Sequence, residues 1–181
     1  MFINNFLNIF LIAIFCGISI SYIFSINIFL SCIASLSILF LAFFASYLYS
    51  EKIYIKPTYR IFLIGMLLSL FLVIFKIPFF PLLSLGDFYY YTRARKIFEY
   101  RMTSKEIGEV SFIFLLVLLI ISSLGIISKN FILTFIPSIL TISLLTPYPN
   151  SFSSALFFYR PQLIPIFLIL SLIFIVLSLS F

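Results

Sequence analysis

The acid–base chemistry open to this chain rests on five carboxylates, Glu51, Asp87, Glu99, Glu106 and Glu109. A general acid or base needs a pKa moved toward neutrality by burial or by a neighbouring charge. Each of the five instead has a lysine or arginine nearby in sequence, and solvated ion pairing is the reading that fits them. The chain has no histidine, which removes every mechanism that needs imidazole as ligand or base. Cys16 and Cys32 stand alone inside apolar runs and read as packing residues, not as a metal or disulfide pair. No glycine-rich phosphate loop, zinc-spaced cysteine pair or nucleophile elbow occurs. The residues therefore point to a non-enzyme without cofactor or metal.

Lys76 admits two readings. A charge inside a long apolar run commonly marks an ion or substrate path, which would make the protein a transporter or channel. Its place near Pro78 and Pro81, beyond the middle of its run, equally suits a side chain that snorkels to the head groups.

The elements available to position any site are apolar. Hydrophobic residues make up 64% of the 181-residue chain and charged ones 9%, against roughly 25% charged in a soluble domain. Too little polar surface is left to face water, so lipid must surround most of the fold. The expected class is an all-α polytopic membrane protein of one integral domain, 1–181, in the cell (cytoplasmic) membrane. The net charge of +6 is spread over short loops, which suits lipid head groups and gives no domain for nucleic acid.

A hydrocarbon core of about 30 Å takes about 20 helical residues to cross. Runs near 2–24 and 26–49 meet that length and read as a helical hairpin. Asn4, Asn5 and Asn8 open the first, and Ser31, Ala34, Ser35, Ala42 and Ala45 line the second. The opening MFINNFLNIF lacks the positive n-region of a cleaved signal and reads as a retained span. A third run, 61–85, is disturbed by Lys76 and two prolines. A fourth follows a capping box at Thr103 and Glu106 and spans 110–127. A fifth, 131–146, is short and holds Pro137, and a last run covers 162–181. About six transmembrane helices result, the third and fifth carrying the least regular signals.

Between them lies a polar island, 86–109. Within it Phe88, Tyr89, Tyr90, Tyr91 and Thr92 read either as a strand or as an interfacial aromatic belt. As a strand they would pair with the stretch around Ile53 and Ile55, giving a small membrane-surface hairpin or sheet. Arg93, Arg95, Lys96 and Arg101 then read as a surface turn. With Tyr89, Tyr90 and Tyr91 they are the candidate contacts to a partner or to lipid head groups. Alternating sides across six spans puts Lys52, Lys56, Arg60 and Lys129 on the N-terminal side, and Arg93, Arg95, Lys96, Arg101, Lys105 and Arg160 on the other. The slight excess favours an outside N-terminus with the island cytoplasmic.

The segment LTISLLTPYPNSFSSALFFYRPQLIP resembles the last motif region of the site-2 protease family of intramembrane metalloproteases, archaeal members in particular. Pro147 and Pro149 fall on that family's Pro-rich turn, and Tyr159 and Pro161 on its later aromatic and proline. Ser151, Phe152 and Ser153 occupy the Leu-Asp-Gly positions, and Leu144 that of a family Asn. Residues 102–108 resemble the lead into the family's Gly-Pro helix, with Phe114 and Leu115 in place of the pair. The second helix can be laid on His-Glu-x-x-His through Ala45, putting Ser37, Ile38 and Leu41 at the three polar positions. The likeness covers 37–161. It implies a core that has lost every metal ligand, with Ser37, Ile38, Leu41 and Phe152 as vestigial positions. A zinc protease needs two imidazoles, a carboxylate and a glutamate base, so the implied protein is a catalytically dead relative. It would act as a binding or scaffolding partner for other membrane proteins. The alternative is a small accessory subunit of a membrane complex.

Overall fold

A computed structural model describes residues 2–53, 55–61, 63–77, 86–92, 104–145, 156 and 159–180. In order these form helices α1 (Phe2–Phe24) and α2 (Ile28–Lys52), strand β1 (Ile55–Ile61), helix α3 (Leu63–Ile74) and strand β2 (Gly86–Thr92). Helices α4 (Ser104–Ile127), α5 (Phe131–Leu145) and α6 (Leu163–Ser178) complete the chain. The protein is an all-α membrane protein carrying one two-stranded sheet. Helices α1, α2 and α4 are long and apolar enough to cross a bilayer, and α3, α5 and α6 are shorter apolar helices. Its polarity is that of a lipid-solvated fold. Phe29, Ile33, Leu67 and Val176 face outward, whereas Ser35, Ser111, Ser122 and Thr141 are buried.

Two hairpins make the frame, and each is drawn tight by a glycine. A Cβ on Gly17 would lie 2.5 Å from the Cys32 Cα, and one on Gly125 would lie 2.5 Å from the Thr134 hydroxyl and 2.6 Å from the Leu133 carbonyl carbon. Helices associate in lipid chiefly through such close packing and through interhelical hydrogen bonds. Both are present between α4 and α5, where the Ser122 and Ser138 hydroxyls meet at 2.9 Å. The turns share a design. Ser25 and Lys129 leave the preceding helices with positive φ, and the Asn27 and Asn130 side chains accept from Phe29 and Leu133 amides to start the next.

Helix α5 is the central element, buried at every position from Thr134 to Leu145. Pro137 lies inside it. The neighbouring hydroxyls are turned onto its own carbonyls: Ser138 donates to Thr134 O at 2.7 Å and Thr141 to Pro137 O at 2.8 Å. The Phe24 ring packs edge-on against Phe131 and Phe135, both at 4.9 Å, tying the end of α1 to the start of α5.

Strand β1 pairs antiparallel with β2, Ile55 opposite Thr92 and Ile61 opposite Gly86. The strand thus starts two residues later than Ile53, which instead caps α2, and it runs on through Pro57. Helix α3 leaves the sheet and, with 12 residues, rises about 18 Å. Lys76 follows it and lies against Tyr22 near the end of α1. The chain is back at the sheet by Gly86, so the strands that precede and follow α3 lie at one end of the bundle, with Lys76 between them in sequence at the other. That overturns the division of basic residues by alternating loops. Lys52, Lys56 and Arg60 share the sheet end with β2 and with the start of α4.

Replacing Gly125 by Ala forces the new methyl against backbone and is expected to destabilise the protein by about 1–3 kcal/mol. Leu124→Val, on the outward face, is expected to cost under about 1 kcal/mol. Reversible SDS unfolding of both variants checks this, and equal midpoints would contradict the close-packed hairpin.

Candidate functional site

The sheet end concentrates the polar structure. Ile55, Pro57 and Tyr59 are buried, while Lys56 and Thr58 between them are partly exposed, the period-two pattern of a strand with one face on the bundle. The inner edge of β1 is closed by side chains of α1. The Asn5 amide donates to Pro57 O at 3.3 Å and its oxygen accepts from the Tyr59 amide at 3.2 Å. One turn on, Asn8 donates to Tyr59 O at 2.7 Å. Asn5 is 3% exposed, and its side chain does what the backbone of a neighbouring strand would do.

This edge also explains how a proline sits within a paired strand. In an antiparallel ladder the N–H and C=O of one residue point to the same edge. The groups of Pro57 and Tyr59 point to α1, so those of Lys56, Thr58 and Arg60 point to β2. The N–H that Pro57 lacks is thus missing from the α1 edge, and no bond to β2 is lost. By the same parity, the backbone groups of Phe88 and Tyr90, opposite Tyr59 and Pro57, point to the outer edge of β2. Among the described residues no further strand lies there.

Beside the sheet, the Tyr49 hydroxyl donates to the Glu109 carboxylate at 2.8 Å, joining the last turn of α2 to the start of α4. The Arg160 guanidinium lies 5.4 Å from the Tyr159 ring centre, just before α6. Phe112 and Phe167, each near the start of its helix, meet edge-on at 5.9 Å. The starts of α1, α4 and α6 and the end of α2 therefore lie at the sheet end.

The positions singled out from sequence fall in different places. Tyr89, Tyr90 and Tyr91 stand in β2 opposite Thr58, Pro57 and Lys56. Arg93, Arg95, Lys96 and Arg101 lie outside the described residues, as does Phe152. Lys76 is exposed, 5.5 Å from the Tyr22 ring near the end of α1, an outward-facing position and not an interior one. On α2, Ile38 is 2% exposed but Leu41 is 54% exposed. Ser37 is also exposed, its hydroxyl donating to Ile33 O. The structure does not bring Ser37 and Leu41 into the interior with Ile38. The set at the same spacing that does face inward is one residue on, at Ile38, Leu39 and Ala42. Phe114, Leu115 and Leu144 all lie in the core.

Asn5, Asn8, Tyr49 and Glu109 are the residues whose roles sequence reasoning missed. Asn5 and Asn8 three apart share one helix face, a signal that their partner is a single element. The Tyr49–Glu109 pair, far apart in sequence, left no such signal.

Asn5→Leu would leave Pro57 O and the Tyr59 amide unpaired in a buried setting, at about 1–3 kcal/mol for each group. The expected outcome is a loss of about 2–6 kcal/mol, with amide exchange rising in 55–61 and little changed in the α4–α5 hairpin. Unaltered exchange in 55–61 would remove the clamp.

Comparison with protein-family models, with curated proteins and with solved structures found no match.

Proposed function

We propose that this chain is a multi-pass protein of the cell membrane that acts without catalysis, as a binding or scaffolding partner for another membrane protein. The observation that carries the reading is the asymmetry of the sheet. Its inner edge is closed by Asn5 and Asn8, and among the described residues no strand lies beside the outer edge of β2, to which the backbone groups of Phe88 and Tyr90 point. An exposed strand edge is a template for pairing, and adding an extended segment to it is a recurrent mode of recognition. The partner is therefore expected to contribute an extended stretch beside Phe88 and Tyr90.

The absence of histidine from the chain supports the non-catalytic part. A degenerate site-2 protease ancestry belongs to the same proposal at the level of architecture, since paired strands lie between α2 and α4. The outward placement of Ser37 and Leu41 favours a second reading, a small accessory subunit with no such ancestry. Both readings share the binding role.

Purification from native membranes is expected to yield a stoichiometric partner. Tyr90→Pro removes an outward N–H and no ladder bond to β1, so it is expected to abolish co-purification while leaving the fold intact. Tyr91→Pro breaks the ladder and is expected to lower stability. A wild-type protein that purifies alone and monomeric would refute the reading, as would zinc-dependent cleavage of a transmembrane substrate by the purified chain.

A further inference from the structure

The two ends of the bundle differ in their share of lysine and arginine in a way that only the fold reveals. At the sheet end lie Lys52 in the last turn of α2, Lys56 and Arg60 in β1, Lys105 in α4 and Arg160 before α6. At the far end, among the described residues, lie Lys76 and Lys129. The chain leaves β2 at Thr92 and enters α4 at Ser104, both at the sheet end, with Arg93, Arg95, Lys96 and Arg101 between them in sequence.

We infer that the sheet end faces the cytoplasm and rests in a layer of anionic lipid head groups, with the start of α1 on the same side and the end of α6 on the other. Lys and Arg in short loops next to spans are retained on the cytoplasmic side, and acidic residues have little influence on that choice. The acidic residues at this end are Glu51, Asp87, Glu106 and Glu109, of which Glu109 accepts from Tyr49. Lys52, Lys105 and Arg160 are exposed, so their charges are open to phosphate. Anionic lipid is the occupant because basic groups beside a bilayer are drawn to the negative inner leaflet within a Debye length. This orientation is the reverse of the outside N-terminus that loop counting favours, because β1 and β2 share one end. It holds whether or not a partner pairs with β2.

Single reporter cysteines test the orientation in the full chain. Cys16 is buried and Cys32 half-buried within apolar helices, so both should stay silent to a membrane-impermeant maleimide, with wild type as control. Lys129→Cys and Leu179→Cys should label in intact cells. Lys52→Cys and Lys105→Cys should label only after permeabilisation. The opposite pattern, or labelling of both ends from one side, overturns the inference. For the lipid, protein is reconstituted in equal parts phosphatidylglycerol and phosphatidylcholine, then extracted, and the retained lipid is measured by mass spectrometry. Lys52→Gln/Lys56→Gln/Lys105→Gln should lower the retained ratio of phosphatidylglycerol to phosphatidylcholine by about fivefold or more, about the effect of one lysine at a charged surface. Lys76→Gln/Lys129→Gln should leave it unchanged. An unaltered ratio in the triple variant, or an equal fall in the far-end pair, removes the lipid site.

Discussion

A strand at the rim of a bilayer has two edges and little water with which to satisfy them, and this constraint organises the sheet end. The carbonyl of Pro57 and both backbone groups of Tyr59 are met by side chains of α1. An orphaned polar group in such a place would cost several kcal/mol. The clamp has architectural consequences. It holds the first turns of α1 against β1, and through β1 it sets where α2 ends and α3 departs. It also sets the parity of the ladder, which leaves a proline harmless in β1 and turns the backbone of Phe88 and Tyr90 outward.

Inside the bundle the same rule is met only in part, and by different means. Several buried hydroxyls return to carbonyls of their own helix, as Ser46 does to Ala42 and Ser178 to Ile175, whereas those of Ser31, Ser35, Ser69 and Ser171 have no partner among the described residues. The Ser122–Ser138 contact is a crossing between helices. Small side chains and glycines matter here less as polar groups than as space. Gly17 and Gly125 admit a neighbouring backbone at a distance no other residue would tolerate. Tight hairpins follow, and α5 can sit at the centre with lipid-facing helices around it.

Much of this was legible in the residues. The helices of the two hairpins follow from run length and from the breaks at Ser25 and Lys129, and α5 lies almost where its short run placed it despite Pro137. The strand β2 was one of the two readings that its aromatic residues allowed, beside an interfacial belt. The bounds of β1 were not legible, because Ile53 caps α2 and the strand runs on from Ile55 through Pro57 to Ile61. Orientation was not legible either. Counting loops assumes that every apolar run changes side, whereas the pairing of Ile61 with Gly86 returns the chain to the end that it left. The face of α2 was misread by one residue. Ala45 suggested a register in which Ser37 and Leu41 face inward, but the buried stripe runs through Ile38, Leu39 and Ala42, a step that apolar sequence cannot distinguish because both faces are made of similar residues.

That last ambiguity bears on chemistry. A helical interior that works on a substrate needs a group that can change charge, and a charge among helices is stable only with a partner or water. Among the described residues the interior holds aliphatic and phenyl side chains at Ile38, Leu39, Phe114, Leu115 and Leu144, with hydroxyls that are either bonded to backbone or, as at Ser35 and Ser171, without a partner. Placing one ionisable group among them would require a second to compensate it and a cavity for both, so single substitutions could not create a site. Basic residues and the sheet found among the described residues instead coincide at the sheet end, and the proposed contacts with an extended partner segment and with lipid both start from there.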